Sequence, residues 1–346
     1  MQNILDLQLK EFKDTIIALG EPMFRANQIQ EGIFHHLYDD WQQFTNLPLP
    51  LRTQLNERFE IGNLELLEKR LSENRKSEKL LFKLPDGNVI ESVLLSANGR
   101  TTLCISTQSG CPVGCVFCAT GKMGFYRNLT PGEIIEQIIY FLRHNMGDNN
   151  SLDNIVLMGM GEPFLNYVNV LNSIRTVIHP DGLNIGARRI TISTIGIAEK
   201  IRQFTQENLQ VNLAVSLHSP IDELRKSLIP IAQRESIKEI IGACRGYFDG
   251  TGRRVTFEYV MIDNVNDSIA LAEKLSIVLK GLNCHVNLIQ LNPNAHYSGR
   301  RSSMNQIKQF VEVLINHHIP TSIRSSLGSD ILAGCGQLAG QITIRD

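Results

Sequence analysis

The stretch Cys104–Leu129 reads CISTQSGCPVGCVFCATGKMGFYRNL and places Cys111, Cys115 and Cys118 in a CxxxCxxC run. Three thiolates suit an iron–sulfur cluster better than structural zinc, because zinc closes its tetrahedron with four ligands whereas a [4Fe–4S] cluster held by three cysteines leaves one iron open. The glycines and the proline of this stretch disfavour a helix and favour a loop whose backbone can approach a cluster. The alternative is structural zinc with Cys104 as its fourth ligand.

The composition is that of a globular chain: 346 residues, 42% of them hydrophobic and 20% charged, with room for one large domain and a smaller one. The N-terminal residues include acids and amides where a signal peptide has basic and then apolar residues, and no apolar run reaches roughly 18 residues. We therefore expect a cytoplasmic protein without a membrane segment. Seven cysteines fit a reducing compartment, and a net charge of −1 gives no global signal for nucleic acid.

The N-terminal region has the apolar pattern of helices. Apolar residues recur at helical spacing through residues 7–58, with Phe12 and Ile16 on one face, and the pattern is broken at Gly20–Pro22. A second apolar face follows the break. This pattern predicts a small helical accessory domain over residues 1–59.

The next region, residues 60–98, changes towards a period of two. Lys79–Leu84 and Val89–Leu95 flank an Asp-Gly turn at 86–87, which predicts a short β-hairpin appendage. Glu91 lies inside the second strand of this hairpin. By local pattern alone it is interpreted as a solvent-facing residue.

From residue 99 to residue 346, strand-like apolar runs alternate with helical stretches. The runs are Thr102–Ser106, Asn154–Met158, Arg189–Thr194, Val211–Leu217, Val255–Met261, His285–Leu291 and Thr321–Ser325. The helical stretches lie near 130–145, 164–178, 197–206, 221–229, 236–248, 267–280 and 303–317. This alternation predicts parallel βαβ units with right-handed crossovers, either in a doubly wound sheet or in an open or closed (β/α) barrel.

Residues suited to chemistry fall at the C-terminal ends of these strands, where barrel enzymes have their active sites. They are the cysteine loop after the first run, Gly161 and Glu162 after the second, Ser193 at the end of the third, Ser216, Leu217 and His218 at the end of the fourth, Asn292 after the sixth and Cys335 beyond the seventh. One rim of the fold would gather them all. Each alone also fits an ordinary turn, and the GMGEP segment is neither a P-loop nor a dinucleotide fingerprint.

Cysteines outside the CxxxCxxC run differ in their neighbours. Cys335 lies among glycines in GSDILAGCGQLAG, which would expose its thiol to a substrate, although an inert thiol fits equally well. Cys104 lies among apolar residues of a predicted strand. Cys244 and Cys284 are interpreted as structural.

The assembled motifs resemble the RlmN/Cfr family of radical S-adenosylmethionine (SAM) adenosine C-methyltransferases over almost the whole chain. The resemblance rests on the aromatic of CxxxCxFC and on the segments RTTLCIS, GCPVGCVFCATGKMGFYRNLT, VLMGMGEPFLN, ITISTIG, VSLHSP, HVNLIQLNP and CGQLAG. It implies an α/β radical SAM (β/α) partial barrel with an N-terminal helical accessory domain and the short β-hairpin. The barrel and a C-terminal catalytic cysteine segment would occupy residues 99–346.

The resemblance also implies roles for individual residues. Cys111, Cys115 and Cys118 would bind a [4Fe–4S] cluster. Gly161, Glu162, Ser193, Ser216, Leu217, His218 and Asn292 would bind SAM. Cys335 would be the methylated cysteine, Cys104 the second catalytic cysteine and Glu91 the base.

The implied reaction methylates C2 of adenine, an electron-poor carbon that simple displacement on SAM cannot methylate. One SAM would methylate Cys335, and a second would yield a 5′-deoxyadenosyl radical that takes hydrogen from this methyl group. The resulting radical would add to the base, Glu91 would take a proton, and Cys104 would release the product with a transient disulfide.

The implied substrates are an adenosine in 23S rRNA at the peptidyl-transferase centre and one in tRNA beside the anticodon. The reaction would also need an external electron donor. The protein is expected to be a monomer. Ile195 and Ser219 also occur in Cfr-like sequences, so methylation at C8, which confers antibiotic resistance, is an alternative. A zinc-stabilised RNA-binding module is a further alternative from another class.

Overall fold

The structure, a computed structural model, describes residues 1–145, 152–231, 235–324 and 327–340. The strands are β1 Gln2–Asn3, β2 Phe59–Glu60, β3 Glu65–Leu71, β4 Ser77–Lys83, β5 Val89–Ala97, β6 Arg100–Cys104, β7 Gln108–Gly110, β8 Phe125–Asn128, β9 Asn154–Leu157, β10 Ile190–Thr194, β11 Asn212–Ser216, β12 Val255–Met261, β13 Cys284–Gln290 and β14 Thr321–Arg324. The helices are α1 Leu9–Ala18, α2 Met23–Phe34, α3 Leu49–Arg58, α4 Ala119–Lys122, α5 Pro131–Asn145, α6 Tyr167–Ile178, α7 Ala198–Gln206, α8 Asp222–Leu228, α9 Ile237–Thr251, α10 Ile269–Leu279 and α11 Met304–Asn316.

The predicted βα repeat is confirmed as β6, β9–β14 and helices α5–α11; Ser325, at the end of the last predicted strand, lies outside the described residues. The seven strands are parallel and adjacent in chain order, so the doubly wound alternative, which needs a reversal of strand order, is wrong. No pairing joins β14 to β6 within the described part of the chain. The fold is therefore an open (β/α) arc.

The arc curves strongly. Arg324 ends β14 and its Nη1 donates to Sδ of Met158, just after β9, at 3.5 Å. Four strands separate β9 from β14 in the sheet order, so this contact requires that the sheet curve until β14 approaches β9. The curvature brings residues from distant parts of the chain to one rim.

The predicted hairpin is present as β4 and β5, which pair antiparallel. It is not an appendage, because β5 also pairs with β6 and β4 with β3, so that three antiparallel strands extend the main sheet to ten. The outermost strand has the sequence ELLEKRL, whose charged side chains protect an exposed edge from pairing with other chains. The hairpin therefore belongs to the same sheet as the predicted active-site strands.

Side-chain caps set the starts of two of the barrel helices. Thr130 and Glu133 form reciprocal hydrogen bonds at the start of α5, with Oε2 of Glu133 accepting from Thr130 N–H at 2.9 Å. Ser236 and Glu239 do the same before α9. Both segments follow the pattern S/T-x-x-E, which marks the first turn of a helix in sequence.

The N-terminal residues form the predicted helical module, α1–α3. Its contacts with the rest of the chain include the ion pair of Lys13 with Asp181 at 2.7 Å and the hydrogen bond from Gly132 N–H to Asp6 at 2.9 Å. The proposed division of the chain at residues 59 and 98 stays a prediction. In the described ranges, none of the helices is both long and apolar enough to cross a membrane.

Candidate active site

The three cysteines of the CxxxCxxC run lie on a tight loop between β7 and α4. Gly110 precedes them with φ +72°, and a Cβ at this position would lie 2.0 Å from the carbonyl oxygen of Gly124. Only glycine fits there, because the backbone of the loop closes on itself through the hydrogen bond from Cys111 N–H to Gly124 O at 2.8 Å. The expectation of a wrapped loop, and not a helix, is therefore confirmed.

The thiols of this loop lie close enough to influence one another. Burial, with a smaller contribution from the neighbouring Cys118, raises the pKa of Cys111 to about 12. Burial also raises the pKa of Cys115, again with contributions from the other two cysteines, whereas the guanidinium of Arg225 lowers it. All three cysteines line one open cavity, and three thiolate donors are the set that holds a [4Fe–4S] cluster with one iron free for a further ligand.

Cys104 is not part of this group, which argues against the zinc alternative. Cys104 lines the adjoining cavity together with Cys118, whereas the cavity lined by all three loop cysteines does not include Cys104. The described residues do not assemble Cys104 and the loop cysteines into one four-ligand site.

The cysteine loop and the C-terminal ends of the parallel strands line an open cavity with about 930 Å³ of empty space, part of which is continuous with solvent. The predicted residues that line it are Cys111, Cys115, Cys118, Gly161, Glu162, Ser193, Ser216, His218, Asn292 and Cys335. Leu217 is not among the lining residues, since its side chain is buried in the core. Cys104 lines an adjoining cavity, and Glu91 lines neither.

Glu162 is a buried carboxylate in the GMGEP turn. Its Oε1 accepts from Phe164 N–H at 3.0 Å and its Oε2 from Ile195 N–H at 2.8 Å, which leaves lone pairs on both oxygens for a further donor. Burial raises the pKa of Glu162 to about 7. Gly161 has φ +104°, and a Cβ there would lie 2.6 Å from Gln108. The glycine thus lets the turn bring Glu162 against the cavity, where it can receive an ammonium group.

His218 is a neutral hydrogen-bonding residue at this cavity. Its Nδ1 accepts from Val260 N–H at 3.0 Å, so the ring proton is on Nε2. Burial and the nearby Arg225 lower its pKa to about 3. The ring also packs edge-on against Phe117, with 5.0 Å between centroids. These contacts hold the aromatic of the CxFC motif beside the end of β11.

Asn292 connects the cavity to Cys335. Its Nδ2 donates to the carbonyl oxygen of Cys335 at 3.1 Å. Its Oδ1 is buried and has no hydrogen-bond partner in the described residues. Because a buried acceptor without a donor is unfavourable, this atom marks a place where a ligand with a hydrogen-bond donor fits, as expected of a SAM-binding residue.

Cys104 and Cys335 line the adjoining cavity, which has about 670 Å³ of empty space. Cys335 is exposed, whereas Cys104 is buried and its pKa is raised to about 12, chiefly by burial and then by Cys335. The guanidinium of Arg324 lies near both thiols, and its pKa is raised most by Cys335. The two cysteines therefore share one space, with opposite degrees of exposure.

Sequence reasoning missed two charged residues at the cavities. Arg324 ends the last parallel strand, so the rule that identified the other strand ends would have found it. Glu258 is an acid inside the apolar strand VTFEYVM, and its Oε2 is buried without a partner in the part of the chain that the structure describes. A charged residue in a buried strand is a signal that the sequence carried.

Glu91 is buried, so its interpretation as a solvent-facing residue is wrong. It pairs with Lys79 at 3.0 Å and accepts from Ala339 N–H at 3.0 Å. The C-terminal segment covers this face of β5, which the local alternation of the hairpin cannot reveal. Its role as a base stays a prediction.

Comparison with known proteins places this site in a family. Residues 105–275 match the model of the radical SAM superfamily, and residues 2–61 match the ribosomal RNA large subunit methyltransferase N-terminal domain. The crystal structure of a radical SAM methyltransferase from Sphaerobacter thermophilus superposes with a TM-score of 0.96 at 45% identity, covering 99% of this chain and 100% of that one. Fold and cysteine loop thus define a radical SAM enzyme, which uses a [4Fe–4S] cluster and SAM.

Curated relatives narrow this class. A probable dual-specificity RNA methyltransferase RlmN from Thermotoga neapolitana is 47% identical, over 98% of this chain and 97% of the relative. A protein of the same name from Clostridium tetani is 44% identical over 98% of this chain and 96% of the relative. The chain belongs to the RlmN family of radical SAM methyltransferases.

Glu162→Gln is expected to raise the dissociation constant of SAM about tenfold or more, because it removes a charge-assisted partner for the methionine ammonium. The amide also faces one of the two backbone N–H groups, so we expect a loss of about 1–3 kcal/mol in unfolding free energy. Equilibrium binding of SAM and denaturant unfolding measure the two effects.

A matched control is Glu136→Gln, since Glu136 also accepts from two backbone N–H groups, those of Asn63 and Leu64, and burial likewise raises its pKa to about 7, but it lies outside the cavity. It should lose stability without weaker SAM binding. An unchanged dissociation constant in Glu162→Gln would reduce GMGEP to a structural turn.

Proposed function

We propose that the protein is a dual-specificity RNA methyltransferase. It methylates C2 of an adenosine in 23S rRNA at the peptidyl-transferase centre and of an adenosine beside the anticodon of tRNA, through a methyl group carried by Cys335. The observation that supports this most directly is the shared cavity of an exposed Cys335 and a buried Cys104 beside the cysteine loop. The names of the relatives and the matched N-terminal domain support RNA as the substrate.

The chain offers candidate ligands for both cofactors. Cys111, Cys115 and Cys118 would hold the cluster, and Glu162 and Asn292 would receive donor groups of SAM. When bound, the cluster and SAM supply the electron and the 5′-deoxyadenosyl radical with which the reaction begins. The chain's own residues hold the methyl carrier at the cavity, where Asn292 fixes its backbone carbonyl.

The environments of the two cysteines suit them to different steps. Cys335 is exposed beside the larger cavity, where SAM would bind, and its backbone carbonyl is held by Asn292. Cys104 is buried in the β6 strand and its raised pKa keeps it protonated, so it does not compete for the first methyl group. Once a base is attached through Cys335, Cys104 loses its proton and its thiolate attacks the sulfur of Cys335. The bond between that sulfur and the methylene carbon breaks, and its electron pair stays with the carbon, which takes up a proton to become the methyl group. An external thiol then reduces the resulting disulfide.

The substrate base must leave its stack to reach Cys335. A base edge inside a duplex cannot contact a side chain in a buried cavity, which favours loops or partly assembled RNA. With such substrates we expect the reaction to take place in the cytoplasm. Reduction of the cluster would require an external electron donor. We expect a monomer to suffice, since the predicted site residues come from one chain.

The test is methylation of RNA from a strain that lacks the modification, with deuterium placed at C2 or at C8 of adenosine. The reconstituted enzyme, given SAM and a reductant, should form 2-methyladenosine in 23S rRNA and in tRNA and release deuterium only from C2. Mass spectrometry of the nucleosides resolves the isomers. Loss of deuterium from C8 would establish the Cfr-like alternative, and no methylated adenosine in either RNA would refute the proposal.

A further inference from the structure

The segment that carries Cys335 lies over one face of the antiparallel strands. Val93 of β5 is opposite both Lys79 of β4 and Cys104 of β6, so these three side chains share one face. Glu91 is on the same face, two residues along β5 from Val93. The ion pair of Lys79 and Glu91 is thus a diagonal pair on the face that also presents Cys104.

The two ends of the segment, at Gly328 and Gly340, touch this strand pair. A Cβ at Gly328 would lie 2.9 Å from Cβ of Ser77, at the start of β4, and a Cβ at Gly340 would lie 2.9 Å from Cγ2 of Val89, at the start of β5. Both glycines have positive φ, +68° and +59°. The segment therefore crosses the strand pair in close contact with it.

The ion pair holds this segment on both sides of Cys335. Nζ of Lys79 is 3.0 Å from Oε1 of Glu91 and also donates to the carbonyl oxygen of Leu332 at 3.2 Å. Oε2 of Glu91 accepts from Ala339 N–H at 3.0 Å. Both side chains are buried, with 7% and 2% of their surfaces exposed. Four groups thus form one connected chain: Leu332 carbonyl, Lys79, Glu91 and Ala339 N–H.

A buried ion pair is a poor source of net stability, because an apolar pair of similar volume stabilises a core as well or better. Its directional hydrogen bonds, however, fix the backbone of the segment at two points. We infer that Lys79 is a positioning residue: through Glu91 and the carbonyl of Leu332 it fixes the segment that presents Cys335 to the site. The meaning of this position for catalysis rests on the proposed function.

The segment also restrains Glu91, the predicted base. Both of its oxygens are engaged, by Lys79 and by Ala339 N–H. Glu91 lies under the segment and lines neither cavity, so it can take a proton from an RNA adduct only if the Ala339 end of the segment moves away first. The hydrogen bonds that position the segment carrying Cys335 therefore also keep Glu91, the predicted base, away from the substrate until the segment moves.

The test compares Lys79→Met and Lys79→Arg in the full-length holoenzyme. Hydrogen exchange of the peptide spanning 328–340 should become about tenfold faster in Lys79→Met, since a hydrogen bond to a charged group shifts a local opening by about that factor. The amount of 5′-deoxyadenosine formed per methylated adenosine should rise by a similar factor, because a displaced Cys335 misses the radical. Lys79→Arg should restore both values.

Lys83→Met is the matched control, since Lys83 is on the same strand and pairs with Glu65 at 2.9 Å on the surface. It should match the wild type. An unaltered exchange rate in Lys79→Met, or an equal change in Lys83→Met, overturns the inference. If Lys79→Met does not fold, the double variant Lys79→Met/Glu91→Gln replaces it, because it leaves no unpaired charge. Faster hydrogen exchange of the peptide 328–340 in this variant supports the inference, and an unaltered rate overturns it. If the wild type forms no methylated adenosine, the proposed function fails while the exchange data still test the position.

Discussion

Cys104→Ala is expected to accumulate protein covalently joined to RNA through Cys335, with almost no free methylated product. Cys104 would act only after the base is attached, so its removal leaves methylation of Cys335 and addition to adenine intact and blocks release. Cys335→Ala lacks the methyl carrier and should leave unmodified RNA and no adduct. Digestion of the RNA followed by peptide mass spectrometry should find a nucleotide on the peptide that contains Cys335.

The double variant Cys104→Ala/Cys335→Ala should show no adduct, because Cys335 acts first. A matched control is Cys244→Ala, which removes another buried cysteine that lies outside both cavities. It should methylate RNA normally if it folds. Free methylated RNA with normal turnover from Cys104→Ala would refute its role in release, and an adduct on a residue other than Cys335 would refute the assignment of the methyl carrier.

Cys115→Ala is expected to abolish cleavage of SAM. A cluster with two remaining protein ligands is open at two irons and is readily lost, so no electron reaches SAM. The fold should survive, since the loop is also held by backbone hydrogen bonds such as Val116 N–H to Leu228 O at 3.0 Å. Iron content, visible absorption and 5′-deoxyadenosine formation measure the effect.

Cys284→Ala is the control for Cys115→Ala, because Cys284 is a buried thiol at the start of β13, away from both cavities. It should retain iron and SAM cleavage. If Cys115→Ala formed 5′-deoxyadenosine at the wild-type rate, the assignment of the cluster ligands would be wrong. Cys111→Ala and Cys118→Ala, like Cys115→Ala, are expected to abolish cleavage of SAM.

The sequence by itself determined the features that depend on local spacing. The CxxxCxxC run with its glycines predicted a wrapped loop. Gly110 shows why glycine is needed, since a Cβ at this position would lie 2.0 Å from a backbone carbonyl oxygen. The alternation of strands and helices predicted the βα repeat. The rule that parallel strands end on one rim then predicted which side chains meet, and Glu162, Ser193, Ser216, His218 and Asn292 do line one cavity.

Only the tertiary structure decided how side chains far apart in the chain pair across the curved sheet. Cys104 and Cys335 share a cavity because the C-terminal segment crosses the face of β4 and β5, and Arg324 reaches Met158 because the open arc curves until β14 lies near β9. Glu91 and Lys79 became a buried pair for the same reason. Periodicity reports which face of a strand a residue is on, but what covers that face depends on the curvature of the sheet and the path of a distant segment, neither of which a local pattern contains.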